Sequence, residues 1–332
     1  MFQYLNMISK IQLGNVSLNH INGFEISESV TEISNTAKIT LPRSYVKKGD
    51  KSLLDYIRVG DKIVINAGYY HRNTIDMDVE FNGYIRTIET DIPLVIYCED
   101  ETYVLRQTNK SLSYKNATLK DVLNDLMPKG TKIDCPEVQL GKIMFDNVSV
   151  FRALQQISED YGLYSRYTQG NLIVNLRDLR KINTTKEHVY VINPKTYEGN
   201  LVKNNELKYK RKSDFKLQVI ASGVLSNGKK ITISSGNKDS EASQLNINYP
   251  GITTEKDLKV FADNIYNEYC YDGYTGSITG FGIPRTHAGD SLKIEDKEEP
   301  DRNGSYLIEK VTITYDENGG FSRKNELSYK LN

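Results

Sequence analysis

The sequence is short of several features, and each shortage excludes a class of protein. No apolar run approaches the roughly 20 residues of a membrane-spanning helix, and the N-terminus lacks the basic start and apolar stretch of a signal peptide. Cys98, Cys135 and Cys270 are far apart and form no CxxC pair, so we expect reduced thiols that act as small core residues in a protein made in a cytoplasm. The formal net charge is +0, which gives no overall reason to expect nucleic acid or a membrane as a partner.

The motifs of common catalytic and cofactor sites are also missing. There is no HExxH, no GxSxG and no phosphate-binding GxxxxGK[ST]. The chain has only 4 histidines, and no two stand at metal-ligand spacing: His20, His71, His188 and His287. We therefore expect no catalytic residue, no metal and no cofactor.

What the sequence does have is a β-strand pattern. Short runs alternate apolar and polar residues and are separated by Asn-Gly or Pro, at the spacing of an antiparallel sandwich or barrel. The 23 tyrosines, against no tryptophan, suit half-buried strands. The clearest runs in the first hundred residues are 24–30, 36–42, 61–65, 84–88 and 94–98. The pattern predicts a first β domain over residues 1–105.

Helical periodicity interrupts this pattern twice. Over 106–195, one helix is predicted at 116–127 and a second begins after Asn147 or Ser149 and ends near Gly162, which indicates a small α/β insert. Residues 196–235, with a hairpin turn at Asn227–Gly228, and residues 275–332 read as strands again, and we assign them to a second β domain. Between them, 236–274 carries a helix over about 254–271. The predicted fold class is mainly β with α+β inserts.

The two β domains share a motif. In each, a Gly-Asp turn leads into one strand and an Asn-Gly turn leads into the next, with matching apolar alternation around them. Both dipeptides are common in hairpins, but their shared order favours a repeat. The turn residues are Gly60, Asp61, Asn82 and Gly83 in the first copy, and Gly289, Asp290, Asn303 and Gly304 in the second.

These same stretches resemble the phage baseplate hub family, which includes late control protein D and the hub part of type VI secretion spike proteins. The resemblance is carried by residues 33–42, 58–65, 81–85 with 96–100, and most specifically by 289–315. It covers most of the chain and is patchy between Lys181 and Asn246.

The resemblance implies an architecture and a role. The family carries two antiparallel β-barrels similar to tail-tube subunits on one chain, so three chains make a pseudo-sixfold ring. It implies a homotrimeric, non-enzymatic hub of a contractile tail that joins the sixfold tail tube to the threefold central spike and meets baseplate wedge and tape-measure proteins. Its place would be the baseplate of a virion or tail-like particle, after synthesis in the bacterial cytoplasm. Phage, tail-like bacteriocin and other injection systems use the same part.

Two other interpretations remain open. A tail-associated cell-wall hydrolase could use paired carboxylates such as Glu99 and Asp100, although we expect the run Glu99-Asp100-Glu101 on a solvated turn where alanine costs little. A monomeric carbohydrate-binding or adhesion module could use exposed tyrosines instead. The candidates for that platform are Tyr69, Tyr70, Tyr269, Tyr271 and Tyr274.

Overall fold

The fold is described by a computed structural model that covers residues 6–19, 21–42, 52–71, 73–91, 93–168, 170–176, 186–194, 201–203, 206–224, 229–239, 241–249 and 254–331. The features that the sequence places at His20 and at the Asn227–Gly228 turn lie outside the described residues.

The first hundred residues form strands that bury alternate side chains. Ala37, Ile39 and Leu41, for example, are buried while their neighbours are more exposed, which is the period of two seen in the sequence. The strands are β1 (Met7–Leu13), β2 (Val16–Leu18), β3 (Gly23–Ser29), β4 (Thr36–Leu41), β5 (Lys62–His71), β6 (Thr74–Glu89) and β7 (Leu94–Glu99).

An α/β insert follows, with its own hydrophobic core. Thr118 and Ser149 cap its two longer helices through their hydroxyl groups, and Gly162 ends the second helix at a φ of +62°, as the sequence predicts for Ser149 and Gly162. A short first helix was not predicted. The elements are α1 (Tyr103–Gln107), β8 (Asn109–Thr118), α2 (Leu119–Leu126), β9 (Lys132–Asp134), β10 (Gln139–Ser149), α3 (Val150–Tyr161), β11 (Leu163–Thr168) and β12 (Asn171–Leu176).

A second unit with its own small core lies between the strands of the second half. Strand β16 is central in a three-stranded sheet, and Val219 and Ala221 on it pack against Phe261 of the long helix. The helix predicted over 254–271 is confirmed, with Tyr269 exposed. The elements of the second half are β13 (Glu187–Ile192), β14 (Leu201–Lys203), β15 (Lys208–Lys210), β16 (Leu217–Val224), β17 (Lys230–Gly236), β18 (Ser243–Tyr249), α4 (Glu255–Tyr269), β19 (Gly273–Phe281), β20 (Ser291–Asp296), β21 (Gly304–Asp316) and β22 (Gly320–Lys330).

Two of the expected boundaries differ from the structure. Strand β13 falls within the predicted insert at 106–195, yet it pairs with β20 in the main sheet. Strands β16 and β17 fall within the predicted second barrel, yet they form the small sheet that α4 covers. The strand pattern predicted β16 and β17 but not β13. In both places the partner strand is set by long-range pairing that local alternation does not encode.

The remaining strands join into one sheet. Its order is β14-β19-β22-β21-β3-β4-β7-β6-β5-β1-β2, with β15 also on β19, and with β20 and then β13 beside β21. Among the described residues the hydrogen-bonded order of strands has free ends and does not close into two separate barrels. Strand β21 pairs with β20 near its start and then with β3 of the first half, which joins the two halves into one sheet. One hydrophobic core runs through both halves, with Cys98 in it; Cys270 is also buried and Cys135 is half-buried. The mainly β fold with helical inserts is confirmed.

Candidate functional site at the joint between two halves

The first Gly-Asp turn is held by a small set of hydrogen bonds. Gly60 has a φ of +91°, a conformation that favours glycine. Its N–H donates to the carbonyl oxygen of Ile85 at 2.8 Å, and the N–H of Ile85 donates to the carbonyl oxygen of Asp61 at 2.9 Å. The Asp61 carboxylate closes the turn by accepting from the N–H of Arg58 at 2.8 Å. The turn thus ties the start of β5 to β6.

The second Gly-Asp turn repeats these bonds. Gly289 has a φ of +97°, and its N–H donates to the carbonyl oxygen of Ile308 at 2.9 Å. The N–H of Ile308 in turn donates to the carbonyl oxygen of Asp290 at 2.9 Å. The Asp290 carboxylate accepts from the N–H of His287 at 3.1 Å. The same residue types therefore hold the same turn at equivalent positions in both halves.

The predicted Asn-Gly turns are not equivalent. Asn82 and Gly83 lie inside β6, so the prediction of a turn there was wrong. Gly83 is needed for close packing instead, because a Cβ on it would lie 2.2 Å from the carbonyl oxygen of Glu99. Asn303 and Gly304 lie where the β20–β21 connection enters β21, and Gly304 has no positive φ. An Asn-Gly pair thus has no fixed meaning without its partner strand.

Strand pairing shows the repeat more fully than the motifs do. The first half has the order β3-β4-β7-β6-β5-β1, and the second has the corresponding order β15-β19-β22-β21-β20-β13. The register of β6 against β7 shifts between Ile85 and Thr87, and that of β21 against β22 shifts between Ile308 and Lys310. One strand differs: β1 runs antiparallel to β5, whereas β13 runs parallel to β20.

The two halves are joined edge to edge by β3 and β21. Seven residue pairs, from Gly23 opposite Asp316 to Ser29 opposite Lys310, form an antiparallel ladder. The rings of Phe24 and Tyr315 stack across this ladder with centroids 5.3 Å apart. This joint makes one continuous sheet out of two repeated halves.

A buried ion cluster locks the joint from the side. Arg323 of β22 and Glu80 of β6 are both fully buried and pair with each other, and Arg323 also donates to the carbonyl oxygens of Gly282 at 2.7 Å and Thr286 at 3.1 Å. Arg285 approaches the same carboxylate at 3.3 Å. Burial raises the pKa of Glu80, and the neighbouring Arg323 opposes that rise. The cluster fixes the loop after β19 against the first half.

A second set of charges holds the other side of this loop. The ring of His287 lies 3.1 Å from the Glu28 carboxylate of β3, and the hydrogen bond to that carboxylate raises the pKa of His287. Asp290, in the Gly-Asp turn, pairs with the buried ring of His188 on β13 at 2.9 Å. One strand from each half, β3 and β13, therefore contacts this turn.

The acidic run that could have served a hydrolase is part of the packing. Glu99 is fully buried and accepts from the guanidinium of Arg106 at 2.7 Å and from the Ser34 hydroxyl at 2.7 Å, so the expected solvated turn was wrong for this residue. Asp100 accepts from the backbone N–H of Asn35 at 2.8 Å, and burial raises its pKa to about 6. Glu99 therefore ties the first half to the insert, and Asp100 holds the chain just before the insert to Asn35 of the first half.

A polar cleft of about 440 Å³ opens where the first half, the insert and the loop after β19 meet. Three of its carboxylates are already bound, Glu28 by His287, Glu80 by Arg323 and Asp100 by backbone N–H groups. No group of three or more potential metal ligands occurs within the part of the chain that the structure describes. The described helices include none long and apolar enough to cross a membrane.

The tyrosines proposed as a sugar-binding platform do not form one. Tyr69, Tyr271 and Tyr274 are buried, while Tyr70 and Tyr269 are exposed. The hydroxyl of Tyr69 donates to the carbonyl oxygen of Phe321 at 2.8 Å and accepts from the N–H of Gly282 at 3.1 Å, which again links the two halves. The expectation that all five are exposed was wrong.

No protein-family model and no curated protein matches the chain. Comparison with solved structures shows which proteins its fold is similar to. A tail protein from Neisseria meningitidis superimposes with a TM-score of 0.64 at 13% identity over 97% of this chain and 96% of that one. The 43 kDa tail protein of prophage MuSo2 from Shewanella oneidensis gives a TM-score of 0.60 at 14% identity, over 97% and 98%.

A third neighbour comes from a related machine. The E. coli c3393 protein, a type VI secretion component described as structurally similar to the T4 tail proteins gp27 and gp5, gives a TM-score of 0.55 at 9% identity. The match covers 96% of this chain and 76% of that protein. This chain therefore has the fold of phage tail proteins and of a spike-related type VI secretion component, the fold expected from its resemblance to the baseplate hub family.

Proposed function

We propose that this protein is the structural hub of a contractile-tail baseplate, a homotrimer that joins the sixfold tail tube to the threefold central spike. The observation that carries the proposal is the joint itself. Two halves with the same strand order stand side by side through β3 and β21, so one chain supplies two consecutive units of a ring. A head-to-tail contact of this kind forms a ring when its rotation closes, and three chains then supply six units.

The buried charges support a rigid adaptor. Glu80, Arg323 and Glu99 are fully buried in ion pairs within the chain, where they fix the angle between the halves and the seat of the insert. A tube of sixfold symmetry would meet six similar units on one side, and a threefold spike would meet three chains on the other. Baseplate wedge and tape-measure proteins are the further partners of this role.

The test is the mass of the purified assembly in solution. Sedimentation equilibrium is expected to give three times the chain mass of 37.8 kDa for the protein alone, or, after the tail tube or spike protein of the same particle is added, the mass of a complex that contains three copies of this chain. A dimer or a monomer that persists with both partners present would refute the proposal. A peptidoglycan zymogram serves as the check on the hydrolase alternative and is expected to show no clearing.

A further inference from the structure

We infer that neighbouring copies of this chain join by antiparallel strand addition, the outer edge of β6 at residues 87–89 in one copy pairing with β15 (Lys208–Lys210) of the next. This inference rests on the proposed trimer and specifies the contact that closes it. Glu89 lies opposite Lys208 in the inferred register.

Strand β15 of the second half is equivalent to β3 of the first half. In the first half Ser27 of β3 pairs with Thr36 of β4. In the second half Lys208 of β15 pairs with Thr275 of β19. The strands β4 and β19 correspond in sequence as well, since TAKITL at 36–41 matches TGSITG at 275–280 in three of its positions. Lys208 therefore occupies the position of Ser27.

The outer edges of β6 and β21 are equivalent as well. The register shift that follows Ile85 in β6 matches the shift that follows Ile308 in β21. Counting on from the shift, Thr87 takes the position of Lys310, and Glu89 takes that of Thr312. Thr87 and Glu89, like Lys310 and Thr312, are two positions apart and so present their backbone groups to the same edge of the strand.

The pairing of β3 with β21 within one chain therefore gives the pairing between two copies. Within the chain, Lys310 pairs with Ser29 and Thr312 pairs with Ser27. Replacing each residue by its equivalent in the other half places 87 opposite 210 and 89 opposite 208. The contact between copies then repeats the contact within a copy, which is what a pseudo-sixfold ring requires.

Both edges have the properties of a strand-addition site. Among the described residues, 87–89 pair only with β7 and β15 pairs only with β19, so each presents an open row of backbone donors and acceptors. Thr87, Glu89 and Lys208 are exposed. Glu89 and Lys208 carry opposite charges, and opposite charges directly across an antiparallel pair are stabilising. The ammonium group of Lys210 is held within its own chain by the carbonyl oxygen of Tyr269 at 2.9 Å, which leaves Lys208 to meet Glu89.

Cysteine cross-linking of the full-length chain tests the register. Directly opposite residues have Cβ atoms about 4.5–5.5 Å apart, within reach of a disulfide after small movement, whereas diagonal neighbours lie about 7–8 Å apart. We would compare Glu89→Cys with Lys208→Cys in one chain against the matched diagonal pair Thr87→Cys with Lys208→Cys. Both are made on a Cys135→Ser background, because Cys135 is only half-buried while Cys98 and Cys270 are buried.

Mild oxidation of the opposite pair is expected to give covalent dimers and trimers, with at least about tenfold more product than the diagonal pair. A mixture of the two single variants, Glu89→Cys and Lys208→Cys, is expected to stop at covalent dimers, since each chain then carries one reactive edge. The experiment is run on the purified chain and again with both the tail tube protein and the spike protein of the same particle present.

The outcomes separate the two proposals. Sedimentation at the trimer mass without cross-linking, or with equal yields from both pairs, would overturn the strand addition and leave the trimeric hub standing. A chain that stays monomeric in both settings would overturn both. Preferential cross-linking of the opposite pair supports both at once.

Discussion

Replacement of Arg323 by methionine measures how much the buried ion cluster contributes to the joint between the halves. Methionine keeps an apolar stem in a fully buried position but removes the donors to Glu80, Gly282 and Thr286. The Glu80 carboxylate then stays buried and keeps only one of its two arginine partners, the guanidinium of Arg285 at 3.3 Å. Removing one partner of a buried pair costs about 3–5 kcal/mol, so we expect Arg323→Met to lower the free energy of unfolding by that amount.

The pH dependence identifies the cause of this loss. Burial already raises the pKa of Glu80, and loss of the opposing Arg323 charge raises it further above its unfolded-state value. A group with a raised folded-state pKa favours the folded state when protonated, so the cost is largest at pH values above that pKa and shrinks as the pH falls. Urea unfolding followed by far-UV circular dichroism, at about pH 7.5 and about pH 5, gives the comparison, since the chain has no tryptophan to report by fluorescence.

Two variants complete the design. Glu80→Gln combined with Arg323→Met removes the unpaired charge, and its stability at about pH 7.5 is expected to exceed that of Arg323→Met alone. Arg152→Met breaks an exposed pair with Glu159 at 3.8 Å and is expected to cost less than about 1 kcal/mol. If Arg323→Met costs no more than Arg152→Met, or if its cost is the same at both pH values, the ion cluster does not stabilise the joint as argued.

Three further perturbations test other parts of the structure. Glu99→Ala removes a fully buried acceptor and leaves the buried Ser34 hydroxyl and the part-exposed Arg106 without this partner, so it is expected to cost about 1–3 kcal/mol in urea unfolding; a cost below about 0.5 kcal/mol would restore the solvated turn expected from the sequence. Gly289→Ala, at a φ of +97°, is expected to cost about 1–2 kcal/mol, and Gly304→Ala, which meets only side-chain atoms, should cost less; equal losses would contradict this account of the turn. The pKa of His287 is raised by Glu28, so its contribution is present below about pH 6.5 and is lost as the pH rises through the raised value; pH titration of unfolding should lose this step in His287→Gln, and an unchanged titration would exclude it.

The sequence predicted the features whose causes are local. Ser149 and Gly162 bound a helix because one supplies a hydroxyl acceptor and the other tolerates a positive φ. The Gly-Asp turns at Gly60 and Gly289 follow the same logic, and their repetition indicated two similar halves. Local chemistry of this kind can be read without knowing what packs against it.

The features that depend on distant partners could not be predicted in this way. Glu99 looked solvated because its neighbours in sequence are acidic, and its burial depends on Arg106 and Ser34, which are brought to it by folding. Asn82–Gly83 looked like a turn, and it lies in a strand because it pairs with Ile63 and Val64 of β5. The pairing of β3 with β21 joins residues almost three hundred positions apart, and no local pattern marks it.

The opposite directions of β1 and β13 limit how alike the two halves can be. A rotation that superimposes the neighbouring strands of the two halves cannot also superimpose β1 on β13, because these two strands run in opposite directions relative to those neighbours. Antiparallel and parallel edges also offer differently spaced hydrogen-bonding groups. The halves are therefore interchangeable along the joint and distinguishable along this edge. A partner that binds along the joint side therefore meets two equivalent sites in each chain, whereas a partner that binds the β1 or β13 edge meets one such site in each chain.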